Sequence, residues 1–137
     1  MRLSPLLASV LIFVACRDNY DDFQPDPLSG DWELVSVEGV AGCTATSGTL
    51  QVVEIEGMGF SGDFNWSASC EGGSTISEAG DVASVEVDVS GRDYGIDITL
   101  HTPEVRALDW DCTMAGNELE CIESDAVVKI YAFTRQP

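Results

Sequence analysis

Five thiols, one imidazole and a large excess of carboxylates are the chemistry this chain offers. Cys16 stands apart near the start, followed by Cys43, Cys70, Cys112 and Cys121, and His101 is the single histidine. A thiol can be a nucleophile, a metal ligand or half of a disulfide, and spacing decides among these. Zinc sites use closely spaced cysteines, commonly with histidines, and no C-x-x-C occurs here. With Cys16 set aside, four cysteines remain; in a small exported chain an even number reads as two disulfides. Asp109 and Asp111 flank Trp110, so on a strand they share one face. Trp110 takes the inward side, which leaves the two acids solvated rather than paired for acid–base work. His101 ends a strand before Thr102-Pro103, and no nucleophile-elbow motif supplies a serine partner for it. These residues assemble no catalytic constellation. The expectation is a protein that is not an enzyme and uses no cofactor or metal.

Export is indicated by the first fifteen residues, MRLSPLLASVLIFVA. They carry one charge, Arg2, and then an apolar run from Leu6 to Ala15 broken only by Ser9. A charged start, a short apolar run and a small residue at the cut make a signal peptide, and the run is too short for a comfortable membrane span. The junction Phe13-Val14-Ala15-Cys16 resembles the bacterial lipobox, with phenylalanine where leucine is usual. That resemblance implies cleavage before Cys16, acylation of its thiol and anchorage to an envelope membrane. Arg17 stands where an aspartate would signal inner-membrane retention, which implies the outer membrane. Cleavage removes Arg2 and no acid, leaving five basic against 24 acidic residues and a net charge of about −19. Such a surface repels nucleic acid and anionic headgroups. Residues 17–27, RDNYDDFQPDP, are acidic and contain two prolines. They offer too little apolar surface to order themselves. The organisation expected is a signal peptide at 1–15, a lipid-anchored tether at 16–27 and one domain at 28–137.

The domain reads as strands. Phe60, Gly62, Phe64, Trp66, Ala68 and Cys70 alternate with polar residues, as do Val85, Val87 and Val89, and Tyr94, Ile96, Ile98 and Leu100. Period-two alternation puts one apolar face on each strand, and no sustained helical stripe appears. Eight strands are predicted, at 31–38, 49–56, 60–70, 82–89, 94–101, 105–114, 118–123 and 126–134. Short connections between successive strands favour an all-β, eight-stranded antiparallel up-and-down meander barrel, which removes exposed edges. A two-sheet sandwich is the alternative.

Turn residues set the registers. Gly91-Arg92 at the centre of a two-residue hairpin would pair Val89 with Tyr94, Val87 with Ile96, Val85 with Ile98 and Ala83 with Leu100. The same register opposes Glu86 and Asp97 on the outer face, a mildly destabilising arrangement of like charges near Asp88. Gly116-Asn117 as a turn pairs Met114 with Leu119 and Cys112 with Cys121, at a position where strands approach closely enough for a disulfide. Cys43 and Cys70 then pair by elimination. With a turn at Gly57-Met58 they lie two residues out of register, a difference that the small residues around Cys43 can absorb.

The domain opens Leu28-Ser29-Gly30-Asp31-Trp32-Glu33-Leu34-Val35-Ser36-Val37 and closes Tyr131-Ala132-Phe133-Thr134-Arg135. The first resembles the Gly-x-Trp start of lipocalins and bacterial lipocalin-like domains; the second resembles their last barrel strand, which finishes in an arginine. The resemblance implies that Arg135 stacks on Trp32 at the closed end of a barrel. The lipocalin helix and ninth strand have no counterpart before Pro137, so a shortened relative is implied. Phe60, Phe64, Trp66, Tyr94, Ile96, Ile98 and Trp110 would face the interior. An eight-stranded barrel is either filled by side chains or holds one small ligand. Two functions follow. One is an anchored binding module for a small hydrophobic ligand, entered from the end away from Trp32. The other is a structural or interaction lipoprotein with a filled core, contacting another envelope protein or a protease.

Overall fold

Strands with one apolar face must bury it, and a meander of them has no free edge only when it closes on itself. The computed structural model describes residues 23–137 and shows this closure. Its strands are β1 (Gly30–Glu38), β2 (Cys43–Ile55), β3 (Gly59–Cys70), β4 (Thr75–Val87), β5 (Asp93–Thr102), β6 (Arg106–Ala115), β7 (Glu118–Glu123) and β8 (Lys129–Arg135). Each is antiparallel to its sequence neighbours, and β1 pairs with β8 to complete a lipocalin-like barrel. That last pairing excludes the two-sheet sandwich. A short 3-10 turn, Glu71–Gly73, joins β3 to β4. The expected signal peptide, Cys16 and the tether up to residue 22 lie outside the described residues.

Strand limits depart from the sequence reading where side chains are small. β2 begins at Cys43 rather than at 49, and β4 at Thr75 rather than at 82. Neither stretch carries an apolar repeat; both enter the sheet because β3 pairs them, Cys43 with Cys70 and Thr75 with Ser69. β8 begins later than expected, at Lys129, because Ser124–Val128 form the β7–β8 loop.

The β6–β7 register is the expected one, Met114 with Leu119 and Cys112 with Cys121. The β4–β5 register is not. Val87, not Val89, faces Tyr94, and Val85, not Val87, faces Ile96. The turn runs from Asp88 to Gly91, closed by the Gly91 amide donating to the Asp88 carbonyl at 2.9 Å. Gly91 uses its positive φ of 73° at the end of this turn, so the loop is two residues longer than a two-residue hairpin and Val89 becomes its tip. Further along, a bulge between Val82 and Ser84 brings Val82 opposite Ile98, and Gly80, not Ala83, faces Leu100. Only glycine fits there, since a Cβ on Gly80 would lie 2.2 Å from the Thr99 carbonyl oxygen.

Both disulfides are formed as expected, Cys43–Cys70 and Cys112–Cys121. The two-residue offset at Cys43 is resolved in two single steps. The β2–β3 turn has three residues, Glu56 to Met58, so Ile55 pairs with Gly59; a bulge between Ala45 and Ser47 supplies the second step.

Candidate functional site

The closed end is built around Trp32. The Arg135 guanidinium sits 4.2 Å from the indole centroid, and the two residues are register partners between β1 and β8. This is the stack that the lipocalin resemblance implies. Arg135 does more than stack. It donates to the Ser29 carbonyl at 3.0 Å and to the Pro27 carbonyl, and its Nη2 lies 3.6 Å from Met114 Sδ. The indole N–H of Trp32 donates to the Leu28 carbonyl at 2.9 Å, and Leu28 is itself fully buried. The chain before β1 therefore crosses the barrel end as a strap. Its Asp26 carboxylate accepts from the Tyr94 hydroxyl at 2.7 Å and from the Leu28 amide at 2.9 Å, and the Asp26 amide donates to Glu54 at 2.6 Å. Asp26 and Pro27, expected in the tether, are thus part of the closure. Burial and then the Asp26 carboxylate hold the Tyr94 phenol above its ordinary range.

Of the residues expected to line a pocket, Phe64, Trp66, Tyr94, Ile96, Ile98 and Trp110 are buried inside, and Phe60 is half-buried near the closed end. They fill the interior by packing on one another. Phe64 meets Trp110 edge-on with ring centroids 4.8 Å apart and Tyr131 at 5.9 Å; Trp110 and Tyr131 are tilted together at 4.7 Å. Trp66 meets Tyr131 edge-on at 6.0 Å. Such edge-to-face arrangements are the favoured aromatic geometry and fix the rings against each other.

The opposite end, the mouth, is where a ligand would enter if the barrel were a binding module. Charged residues occupy it. Glu123 is 3 % exposed, and its Oε1 accepts from the Trp110 indole N–H at 3.2 Å and the Tyr131 hydroxyl at 3.0 Å. Lys129 Nζ lies 3.6 Å from Glu123 Oε2, which has no hydrogen-bond partner among the described residues. Beside this pair, Glu78 accepts from the Trp66 indole N–H at 2.8 Å and from Arg106 at 2.9 Å. Two carboxylates and two cations thus form a charge-paired stopper whose acids hold the polar edges of three buried aromatics, with the exposed Asp125 carboxylate 4.0 Å from Arg106 at its rim. Burial, reinforced by Glu123, raises the Tyr131 phenol well above its ordinary range. The Cys43–Cys70 disulfide ties the same end.

The outer wall carries the acids. Glu86 faces Gly95 and Asp97 faces Ser84, whose hydroxyl donates to it at 2.9 Å, so the expected Glu86–Asp97 opposition does not occur. The shifted β4–β5 register is the reason. Like charges meet one strand further on, where Asp97 faces Asp109. Partial desolvation against the wall, then Asp97, then Asp111 and Glu86 raise the Asp109 carboxyl above its ordinary range. The wall hollow here, bounded by Glu86, Asp88, Asp93 and Asp111, opens outward over Gly95. His101 is exposed and pairs with Asp81 at 2.7 Å. No group of acids, cysteines and histidine among the described residues is arranged to hold a metal ion.

Sequence reasoning missed the mouth and the strap. For Glu123 a signal existed, since it continues the inward parity of Leu119 and Cys121. For Glu78 there was none, because its strand segment lacks an apolar repeat. The partnership of Asp26 with Tyr94 spans 68 residues and has no local signature. No protein-family model matches the chain, and no match is found among curated proteins or solved structures.

Proposed function

We propose that this protein is an envelope lipoprotein, anchored through acylated Cys16, whose lipocalin-like domain acts through its outer surface and loops on another envelope protein. The observation that carries this reading is the filled interior. The residues that a ligand would have to touch are committed to each other, with Phe64 against Trp110 at 4.8 Å, and the entrance is stoppered by Glu78–Arg106 and Glu123–Lys129. An apolar ligand would have to displace packed rings and break charged pairs, whereas ligand sites are largely pre-formed concavities. The lipobox resemblance at Phe13-Val14-Ala15-Cys16 supports the anchor, and the net charge of about −19 after cleavage favours a partner with a basic surface.

Native mass spectrometry of protein purified from its own host tests the reading. The expected species has the mass of the acylated chain and nothing more. A retained small apolar molecule would overturn the filled-core reading in favour of the binding module. Replacing Cys16 by serine should release the protein from membranes or leave an uncut precursor; a correctly processed, membrane-bound Cys16→Ser protein would remove the anchor from the account.

A further inference from the structure

Ten large apolar side chains are exposed among the described residues, and their distribution is uneven. Val105, Val127 and Val128 are at the mouth and Val35 is on the wall; the other six are Phe23, Val53, Ile55, Met58, Val87 and Val89. All six belong to the closed end, on the strap, on the last residues of β2 and β4, or in the turns that follow them. Met58 is 80 % exposed and Val89 fully so, each in the turn of its hairpin. Neither packs on the core, so folding does not require them to be apolar. In a chain with 24 acids, apolar turn tips gathered at one end mark a surface that meets something apolar.

The chain itself indicates what. The strap is pinned at this same end, by Asp26 on Tyr94 and Glu54 and by Arg135 on the Ser29 and Pro27 carbonyls. Cys16 precedes Phe23 by seven residues, a reach of at most about 25 Å. An acyl group on Cys16 therefore holds the closed end, and not the mouth, next to the membrane. We propose that the closed end is a membrane-docking face, with Met58, Val89 and Phe23 entering the interface of a zwitterionic bilayer. This rests on the lipid-anchor reading above. Asp26, Asp31, Glu54, Glu56, Asp88 and Asp93 share this end, so anionic headgroups are disfavoured. The short link supplies a high effective concentration, so a contact too weak to recruit free protein suffices for anchored protein. The mouth then faces away from the membrane and presents its loops to partners.

Hydrogen exchange of the acylated protein, with and without phosphatidylcholine nanodiscs, tests this. Exchange in the closed-end turns around Met58 and Val89 should slow several-fold on the bilayer, while the mouth loops around Gly72 and Val127 stay unchanged. A Met58→Asp, Val89→Asp double variant should lose that protection and keep the slow exchange of the barrel strands, because both positions are exposed turns. Unchanged closed-end turns on the bilayer, or protection of the mouth loops instead, would overturn the proposal. So would the same protection in lipid-free protein at raised concentration, which would assign the face to a second copy. If the purified protein carries no acyl chain, the anchor reading fails by itself. Coupling the Cys16 thiol to a maleimide phospholipid in the same nanodiscs then tests the face independently, with the same two outcomes.

Discussion

At the closed end a cation, Arg135, rests on an indole and donates to backbone carbonyls; at the mouth the cations Arg106 and Lys129 face carboxylates. The first arrangement keeps a weakly hydrated guanidinium against neutral acceptors and an apolar plug, Trp32 with Leu28. The second takes Glu123 almost wholly out of water, which is costly unless every partner is present. The difference teaches how one small barrel is sealed twice. The closed end is sealed by apolar mass with a cation as its lid. The mouth is sealed by charge balance, with the carboxylates serving as acceptors for the indole and phenol groups that the filled core brings with it.

The largest effect expected from breaking this comparison is at the plug. Trp32→Ala removes a fully buried indole from a domain with one core, and should cost about 3–5 kcal/mol in denaturant unfolding. At the mouth, Glu123→Ala leaves the Trp110 and Tyr131 donors and Lys129 without their acceptor, at a cost of about 2–4 kcal/mol. Part of this loss is the stranded Lys129 charge, so a double Glu123→Leu, Lys129→Met variant should recover that part and keep the cost of the two unsatisfied donors. Urea midpoints for the three proteins check both claims. A double variant no better than Glu123→Ala would show that the acceptor role, and not the charge, dominates. Arg135→Ala should cost less, about 1–2 kcal/mol, because the plug stays in place when its lid is removed. If Arg135→Ala costs as much as Trp32→Ala, the plug does not stay in place without its lid, and the strap carbonyls that Arg135 holds carry as much stability as the indole.

How much of this could be read from the chain depends on the range over which a residue acts. The barrel, its strand number and the Cys112–Cys121 pair were legible because alternation and a glycine turn are local signals. Trp32 and Arg135 were legible only through a motif resemblance, since nothing local connects residues 103 positions apart. The Gly91 hairpin misled because glycine serves more than one turn position, and a shift of two keeps the inward parity intact; alternation alone cannot detect it. The filled interior was undecidable in advance. The same aromatics can line a pocket or fill one; Glu78 sits on a strand segment without an apolar repeat, and Glu123, though it keeps the inward parity of Leu119 and Cys121, is a carboxylate where an apolar residue is usual.

The two ends also differ in how they meet alkali. Tyr131 at the mouth and Tyr94 at the closed end both have phenols raised above the ordinary 10.0, by burial first and then by Glu123 and Asp26 respectively. The folded barrel therefore keeps these protons where the unfolded chain releases them. Stability should be level up to about pH 10 and fall as the pH rises further, since the unfolded state then binds fewer protons. Tyr131→Phe and Tyr94→Phe should each flatten that decline, Tyr131→Phe more, as the deeper of the two. Urea midpoints between pH 8 and about pH 11.5 measure it. A wild-type curve that stays flat would mean that both phenols ionise freely in the barrel.

The smallest expected effect lies between the ends, on the outer wall. Asp109 faces Asp97 directly across β5 and β6, while its neighbour Asp111 faces Gly95, which presents no side chain. Only the first pair sets two carboxylates opposite each other, and like charges so placed oppose pairing. Asp109 takes up a proton more readily in the barrel than its ordinary value of 3.8 implies, through partial desolvation and then Asp97. A carboxyl raised on folding favours the folded state at low pH, and that contribution is lost as the pH rises through its folded value. At neutral pH the ionised Asp109 is therefore a net burden, and Asp109→Asn should raise the melting temperature by about 1–2 °C at low ionic strength. High salt screens an exposed pair, so the gain should shrink there. Asp111→Asn, opposite a bare glycine, should gain less. Equal gains for the two variants, or a gain at Asp109 that salt leaves untouched, would mean that the acidic wall acts through its total charge and not through this one rung.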